Sequence, residues 1–209
     1  ARMTTSREPP VDPLDAKHWE EVEEPIELIH DHHLVEAILA LRDVIKRSPK
    51  NPYAFHWLGV ALFESDQLEA ARDAYRAALA LAPKYLGARV HLSHVLRMTG
   101  DVKGALEQAE IARRQNPEDP DAWHALAAAY AKQKLFRMAR LCLLAVIERD
   151  KKRIGAYVDM AEACIAMLDY KTAADALGVA LALDPNGDDP AGRRARAITG
   201  RTLTKLRSL

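Results

Sequence analysis

The residues best suited to chemistry in this sequence are histidines near the N-terminus. Three histidines and an aspartate follow one another as HDHH, from His30 to His33. Imidazole and carboxylate groups are common ligands of transition metals. A metal site needs fixed ligand geometry, however, and Pro25 predicts a kinked, irregular connection here. We therefore interpret the stretch as a solvated loop and keep a histidine-based metal or pH sensor as a minor alternative.

Other signatures of catalysis are missing from the sequence. It contains no glycine-rich phosphate loop, no G-x-S-x-G and no H-E-x-x-H. Cys142 and Cys164 lie in apolar helical patterns, which favours two buried core residues over a disulfide framework. The prediction is a protein that is not an enzyme and that binds no cofactor and no metal.

Charge is balanced overall but uneven along the chain. Lys plus Arg and Asp plus Glu both number 30, which argues against general attraction to nucleic acid or to a membrane surface. No apolar run approaches the ~20 residues that a membrane helix needs, so no membrane insertion is expected. The N-terminus has no apolar signal core, so we expect a cytoplasmic protein, with a cleaved signal peptide as the alternative. Acids dominate residues 15–31 and bases dominate residues 190–209.

The elements that position these residues follow from a repeat of 34 residues. In the stretch DAWHALAAAY, residues 121–130, the apolar residues fall three and four apart and share one helix face. The same positions recur in blocks 52–85, 86–119, 120–153 and 154–187 without insertion. Two series of small residues are Ala71, Ala105, Ala139, Ala173 and Ala78, Ala112, Val146, Ala180. Small residues at these positions predict close helix packing between stacked helix pairs.

Each block contains two helix-length apolar patterns and no strand pattern. Prolines agree with this division, since Pro52, Pro120 and Pro190 stand where helices would begin. The predicted helices are 34–47, 52–65, 68–82, 86–99, 102–115, 120–133, 136–149, 154–167, 170–183 and 191–207.

The pattern resembles the tetratricopeptide repeat, with its signature W-x2-L-G-x2-Y, A-x3-F and a later Ala and Pro. The first block carries the matching residues Phe55, Leu58, Gly59, Leu62, Ala71, Tyr75, Ala78 and Pro83, and the third carries Trp123, Leu126, Ala127, Tyr130, Ala139, Leu143 and Val146. Arg89 departs from the aromatic slot in the second block, and Lys151 from the proline slot in the third. The resemblance implies an all-α, right-handed α-solenoid of helix-turn-helix repeats.

The ends are expected to differ from the four repeats. Residues 1–32 are interpreted as an acidic, partly irregular N-terminal extension with a short helix at 13–24 capped by Asp12, and 33–51 as a degenerate half-repeat. Pro25 is expected to break the extension. Residues 188–209 are expected to form a basic capping helix.

The resemblance implies that first helices line a concave surface that commonly binds peptides. On that basis, the face not used by the repeat core is predicted to form a binding groove. Its candidate residues are Tyr53, His56, Val60, Phe63, Val90, His91, His94, Arg97, Met98, His124, Lys132, Val158, Glu162 and Ile165. Its apolar character predicts a partner protein that presents an extended peptide or an amphipathic helix. A lysine and asparagine clamp for a chaperone tail is not expected, because Val60, Asp121 and Ala125 occupy matching positions.

Two occupants of this groove remain open at this point. One is a foreign peptide, and the other is the protein's own N-terminal segment, through Leu14, Trp19, Val22, Ile26 and Ile29. The function predicted is a non-catalytic adaptor or scaffold, within a multiprotein assembly or as a secretion-type chaperone. The alternative is a self-assembling structural protein, in which the acidic N-terminal end of one molecule contacts the basic C-terminal end of the next.

Overall fold

The structure is a computed structural model that describes residues 13–208, with side chains from Ala16 onward. The described residues form eleven helices and no strand. The helices are α1 Pro13–His30, α2 Leu34–Arg47, α3 Pro52–Glu64, α4 Leu68–Leu81, α5 Leu86–Met98, α6 Val102–Gln115, α7 Pro120–Lys132, α8 Phe136–Arg149, α9 Ile154–Ala166, α10 Tyr170–Leu183 and α11 Pro190–Arg207. The ten predicted helices are confirmed to within two residues at each end. The predicted cap at Asp12 lies outside the described residues.

The chain divides into two compact units, which we call the N-terminal unit, up to Gln108, and the C-terminal unit, from Ala109. In the N-terminal unit, each helix from α1 to α5 packs on the next, and α3 also contacts α1 and α5. In the C-terminal unit, each helix from α7 to α11 packs on the next, and α9 also contacts α11. Each unit is therefore a stack of helix hairpins, the all-α solenoid arrangement that was predicted.

Local signals in the sequence explain why the helices begin where they do. The side chains of Asn51 and Asp119 accept hydrogen bonds from the first free backbone amides of α3 and α7. Pro52 and Pro120 follow these caps at the first helical position, where a missing amide hydrogen costs nothing. Asp189 and Pro190 start α11 in the same way.

The 34-residue series of small residues lies in the core. Ala71, Ala105, Ala139 and Ala173 are each fully buried, as the sequence predicted. Gly59 shows how close the packing is, because a Cβ atom there would lie 2.5 Å from the ring of Tyr75. Any side chain at this position would overpack the hairpin.

The turns within the hairpins reveal a repeat that the sequence prediction missed. A residue with left-handed backbone, φ between 61° and 90°, recurs every 34 residues at His32, Asp66, Gly100, Lys134 and Leu168. The turn between α1 and α2 therefore has the same register as the other four. Ala37, fully buried, continues the alanine series backwards by the same interval. Residues 18–51 thus form a complete hairpin, not an extension followed by a half-repeat.

The expected helix break at Pro25 is wrong. The helix α1 runs through Pro25, which is itself buried. A proline inside a helix costs about 3 kcal/mol, since it removes one backbone hydrogen bond. Val22, Ile26 and Ile29 are 0%, 6% and 3% exposed and belong to the hydrophobic core of the N-terminal unit. Burial of three such side chains, at about 1.5–3 kcal/mol each, outweighs the cost of the proline.

Candidate functional site

The structure separates the predicted groove residues into buried and accessible sets. His56, Val60, His91 and Val158 are 1%, 3%, 5% and 0% exposed, so they do not line an open groove. First helices pack against the first helices of neighbouring hairpins, as α3 does with α1 and α5 and α9 does with α11. Packing between stacked helix pairs was predicted for the core face only, so the burial of these residues of the opposite face against neighbouring first helices was missed.

The other predicted residues keep accessible surface. Met98, Lys132 and Glu162 are exposed, and partial exposure is shared by Tyr53, Phe63, Val90, His94, Arg97, His124 and Ile165. In the N-terminal unit, the rings of Phe63 on α3 and His94 on α5 lie 5.2 Å apart between centroids. Met98 follows His94 by one helical turn and is 46% exposed. We call Phe63, His94, Arg97 and Met98 the first-helix patch.

The N-terminal unit also contains a group of contacting rings that the sequence did not predict. We call it the aromatic–histidine cluster, and its members are His56, Trp57, Tyr75, Tyr85 and His91. The rings of His56 and His91 stack, with centroids 5.0 Å apart and planes 15° apart. Among the described residues, Nδ1 of each histidine and the hydroxyl of Tyr75 have no hydrogen-bond partner.

Burial keeps both histidines of the cluster neutral. Burial, with a smaller contribution from the nearby imidazole of His94, lowers the pKa of His91 to about 3. Burial likewise holds the pKa of His56 well below its ordinary value, with His91 adding to the effect. Unless the cluster opens to water, its histidines do not titrate near neutral pH and do not bind an anion through a positive charge.

The described N-terminal segment does not lie across the first-helix patch. The helix α1 packs on α2 and α3 as the first helix of its own hairpin. Trp19 contacts Tyr53 and Trp57 edge to face, with ring centroids 5.5 and 6.4 Å apart. Glu21, an acidic residue of α1, accepts hydrogen bonds from Ser48 and Asn51. The side chain of Leu14, a further candidate for covering the groove, lies outside the described residues.

The C-terminal unit presents polar groups on its first helices. His124 on α7 lies 2.7 Å from Asp159 on α9, atom Nε2 to Oδ2. Arg194 on α11 binds Asp159 and also donates from Nε to Glu162 at 3.0 Å. We call His124, Asp159, Glu162 and Arg194 the C-terminal polar network. His124 and Glu162 were predicted from the sequence, whereas Asp159 and Arg194, which join them, were not.

The charges of this network are coupled. Burial opposes ionisation of Asp159, but His124 and Arg194 hold the pKa of its carboxyl below the usual value. Partial burial raises the pKa of Glu162, and the negative charge of Asp159 adds to that shift against the effect of Arg194. The pairing satisfies these groups within the unit, so the network orders α7, α9 and α11 and offers no activated nucleophile.

A spacing of 35 residues connects the partners in both units. His56 and His91, His124 and Asp159, and Asp159 and Arg194 are each separated by 35 positions. In a 34-residue repeat, this relation brings facing residues of successive first helices together. It is the sequence signal by which these partners could have been found.

The histidine-rich stretch remains a polar turn. His30 ends α1, His32 occupies the left-handed turn position, and His33 precedes α2, all three exposed. Across residues 13–208, no three His, Cys, Asp or Glu side chains converge to hold a metal ion. Of the helices described, none is both long and apolar enough to cross a membrane.

Comparison with known proteins supports the repeat assignment. Family models described as tetratricopeptide repeat match residues 34–85 and 62–130. No curated protein sequence matches the chain.

Solved structures of repeat proteins share the fold across most of the chain. TTC0263, a thermophilic TPR protein of Thermus thermophilus, is 19% identical with a TM-score of 0.74, and the match covers 90% of this chain and 99% of that one. MamA 41-end from Desulfovibrio magneticus RS-1 is 20% identical with a TM-score of 0.69, covering 83% and 98%. YrrB, described as a TPR protein with an unusual peptide-binding site, is 18% identical with a TM-score of 0.62, covering 85% and 90%. At these identities the likeness is one of fold.

Proposed function

Because the chain is a tetratricopeptide repeat protein, we propose that it is a non-catalytic scaffold that binds a segment of a partner protein through its first-helix patch. The fold supports a protein-interaction role in general, since each hairpin adds surface to a stack and brings no reaction chemistry with it. The peptide-binding site described for YrrB is a precedent for this use of the fold. Cytoplasmic location and chaperone-like activity remain predictions.

The observation that carries the proposal is Met98, an apolar side chain 46% exposed on the first-helix face. It follows His94 by one turn, and His94 packs on the half-buried ring of Phe63. The two apolar side chains can contact one apolar side chain of a peptide, and the imidazole beside them is a polar group that can orient the peptide backbone.

The test uses peptides selected from a random displayed library on the immobilised protein. The Kd of a selected peptide is measured by fluorescence anisotropy for the wild type and for Phe63→Asp with Met98→Asp. We expect the double variant to keep its helical circular dichroism and to raise Kd by more than about tenfold. The matched control is Leu39→Asp on α2, which changes a leucine that is 57% exposed. An unchanged Kd in the double variant, or equal weakening in the control, would refute the proposal.

The alternative, head-to-tail self-assembly, has one favourable observation. Exposed carboxylates line α1 at Glu20, Glu23, Glu24 and Glu27, and exposed basic residues continue to the end of α11. Three of those basic residues, however, already bind groups of the C-terminal unit: Arg193, Arg194 and Arg196. Light scattering between about 0.05 M and about 0.5 M salt tests the alternative, since a charge-driven filament would shorten as salt rises.

A further inference from the structure

The second helix of the third repeat, α8, has an exposed face with an unusual order of residues. Arg137, Leu141, Leu144 and Glu148 are all exposed and are spaced by four, three and four positions. We call these four residues the α8 seam. This spacing places them on one narrow stripe of the helix. Paired helices contact each other through residues with the same spacing. Leu141 is 56% exposed and Leu144 is 52% exposed.

The repeat itself does not require leucines at these positions. The position of Leu141 is occupied in α2 by the exposed Leu39, whereas the second helices of three other repeats carry Asp73, Glu107 and Asp175 there. At the position of Leu144, they carry Arg76, Glu110 and Gly178. The stacked core is therefore built without apolar residues there. Among the second helices described, α8 alone carries leucine at both positions, and this adjacent pair of exposed leucines indicates contact with something outside the hairpin stack.

The charges at the two ends of the seam identify that contact. Arg137 lies at its N-terminal end and Glu148 at its C-terminal end, eleven residues or about 16 Å apart. The Glu148 side chain is 82% exposed and lies 3.9 Å from the guanidinium of Arg149, which leaves it open to a further partner. The seam is therefore complementary to an antiparallel copy of itself.

We propose that the protein forms a two-fold symmetric dimer through antiparallel pairing of α8 with α8 of a second copy. In this register, Leu141 contacts the partner's Leu144, and Arg137 faces the partner's Glu148. Both contacts occur twice because the interface is isologous, and the assembly closes at two chains. A parallel pair would instead place Arg137 against the partner's Arg137, so charge selects the antiparallel arrangement. The dimer is independent of the peptide-binding role proposed above.

The first experiment is sedimentation equilibrium of the full chain at about 100 μM. We expect the wild type to sediment as a dimer, Leu141→Asp as a monomer, and the control Leu39→Asp as a dimer. Leu39 is the matched choice because it is 57% exposed at the corresponding position of α2. A monomeric wild type overturns the proposal, and so does a Leu141→Asp variant that remains a dimer or a Leu39→Asp variant that loses the dimer. Circular dichroism confirms that each variant is folded.

The second experiment tests the two-fold register through charge. In Arg137→Glu, the new carboxylate faces the partner's Glu148, and in Glu148→Arg two guanidinium groups face each other. Each variant alone therefore places two like-charged pairs in the interface and is expected to raise the dimer dissociation constant severalfold. In an equimolar mixture of the two variants, every pair in the mixed dimer is of opposite charge. We expect dimers to return in the mixture, and a mixture no more associated than its components would refute the antiparallel register.

Discussion

The buried histidines of the aromatic–histidine cluster predict that acid destabilises the N-terminal unit. His56 and His91 are 1% and 5% exposed, and burial lowers the pKa of each, in His91 to about 3. The unfolded chain binds protons on these imidazoles below an ordinary pKa of about 6.5, whereas the folded chain does not. The unfolded state then binds more protons than the native state, so the free energy of unfolding falls as the pH falls.

The size of the effect follows from the number of histidines. Well below pH 6.5, each neutral buried imidazole contributes a slope of about 1.4 kcal/mol per pH unit. The pair of histidines therefore lowers the free energy of unfolding by about 2.5 kcal/mol for each pH unit between pH ~6 and pH ~4. That is a large part of the about 5–15 kcal/mol that stabilises a typical domain. The neighbouring ionisable groups are His94, Glu64, Tyr75 and Tyr85. The charge of His94 lowers the pKa of His91, whereas the charge of Glu64 raises the pKa of Tyr75.

Urea unfolding at several pH values provides the assay. Trp19 and Trp57 lie in the N-terminal unit, so a Trp123→Phe background makes tryptophan fluorescence report that unit. Removing one imidazole with His56→Gln or His91→Gln should roughly halve the acid dependence, whatever the change in stability at neutral pH. The control is His33→Gln, an exposed residue in the turn before α2. If the double glutamine variant keeps the full acid slope of the wild type, the cluster is not its source.

Two further predictions concern glycines and turns. Gly59→Ala should lower the free energy of unfolding by about 1–3 kcal/mol in urea denaturation, because the new methyl group would overlap the fully buried ring of Tyr75. The control Gly178→Ala should be neutral or stabilising, because a Cβ atom there has nothing within 4 Å. Equal losses of stability in the two variants would contradict the packing argument. Leu168→Gly should raise stability by up to about 1 kcal/mol, since Leu168 has φ of 63° and is 70% exposed. Gly100→Leu, at φ of 90°, should lower stability by about 1–2 kcal/mol. If both turn variants changed stability in the same direction, φ would not be the cause.

Much of the fold could be predicted because its signals are local. Helix starts follow from side chains one to three residues away, as at Asn51 with Pro52 and Asp119 with Pro120. The small residues of the core follow from a period that a single sequence displays directly. Repetition also strengthened these inferences, since each block supported the others.

Tertiary structure decided the features that depend on energies summed across neighbouring hairpins. Pro25 is tolerated only because Ile26 and Ile29 are buried beyond it, and local rules assign a cost to the proline without seeing that gain. His56 and Val158 are buried by first helices of adjacent hairpins, which no pattern within one repeat reveals. Burial is a property of stacking, so the sequence by itself determined the repeating hairpin, and the packing of one hairpin on the next determined which residues remain at the surface.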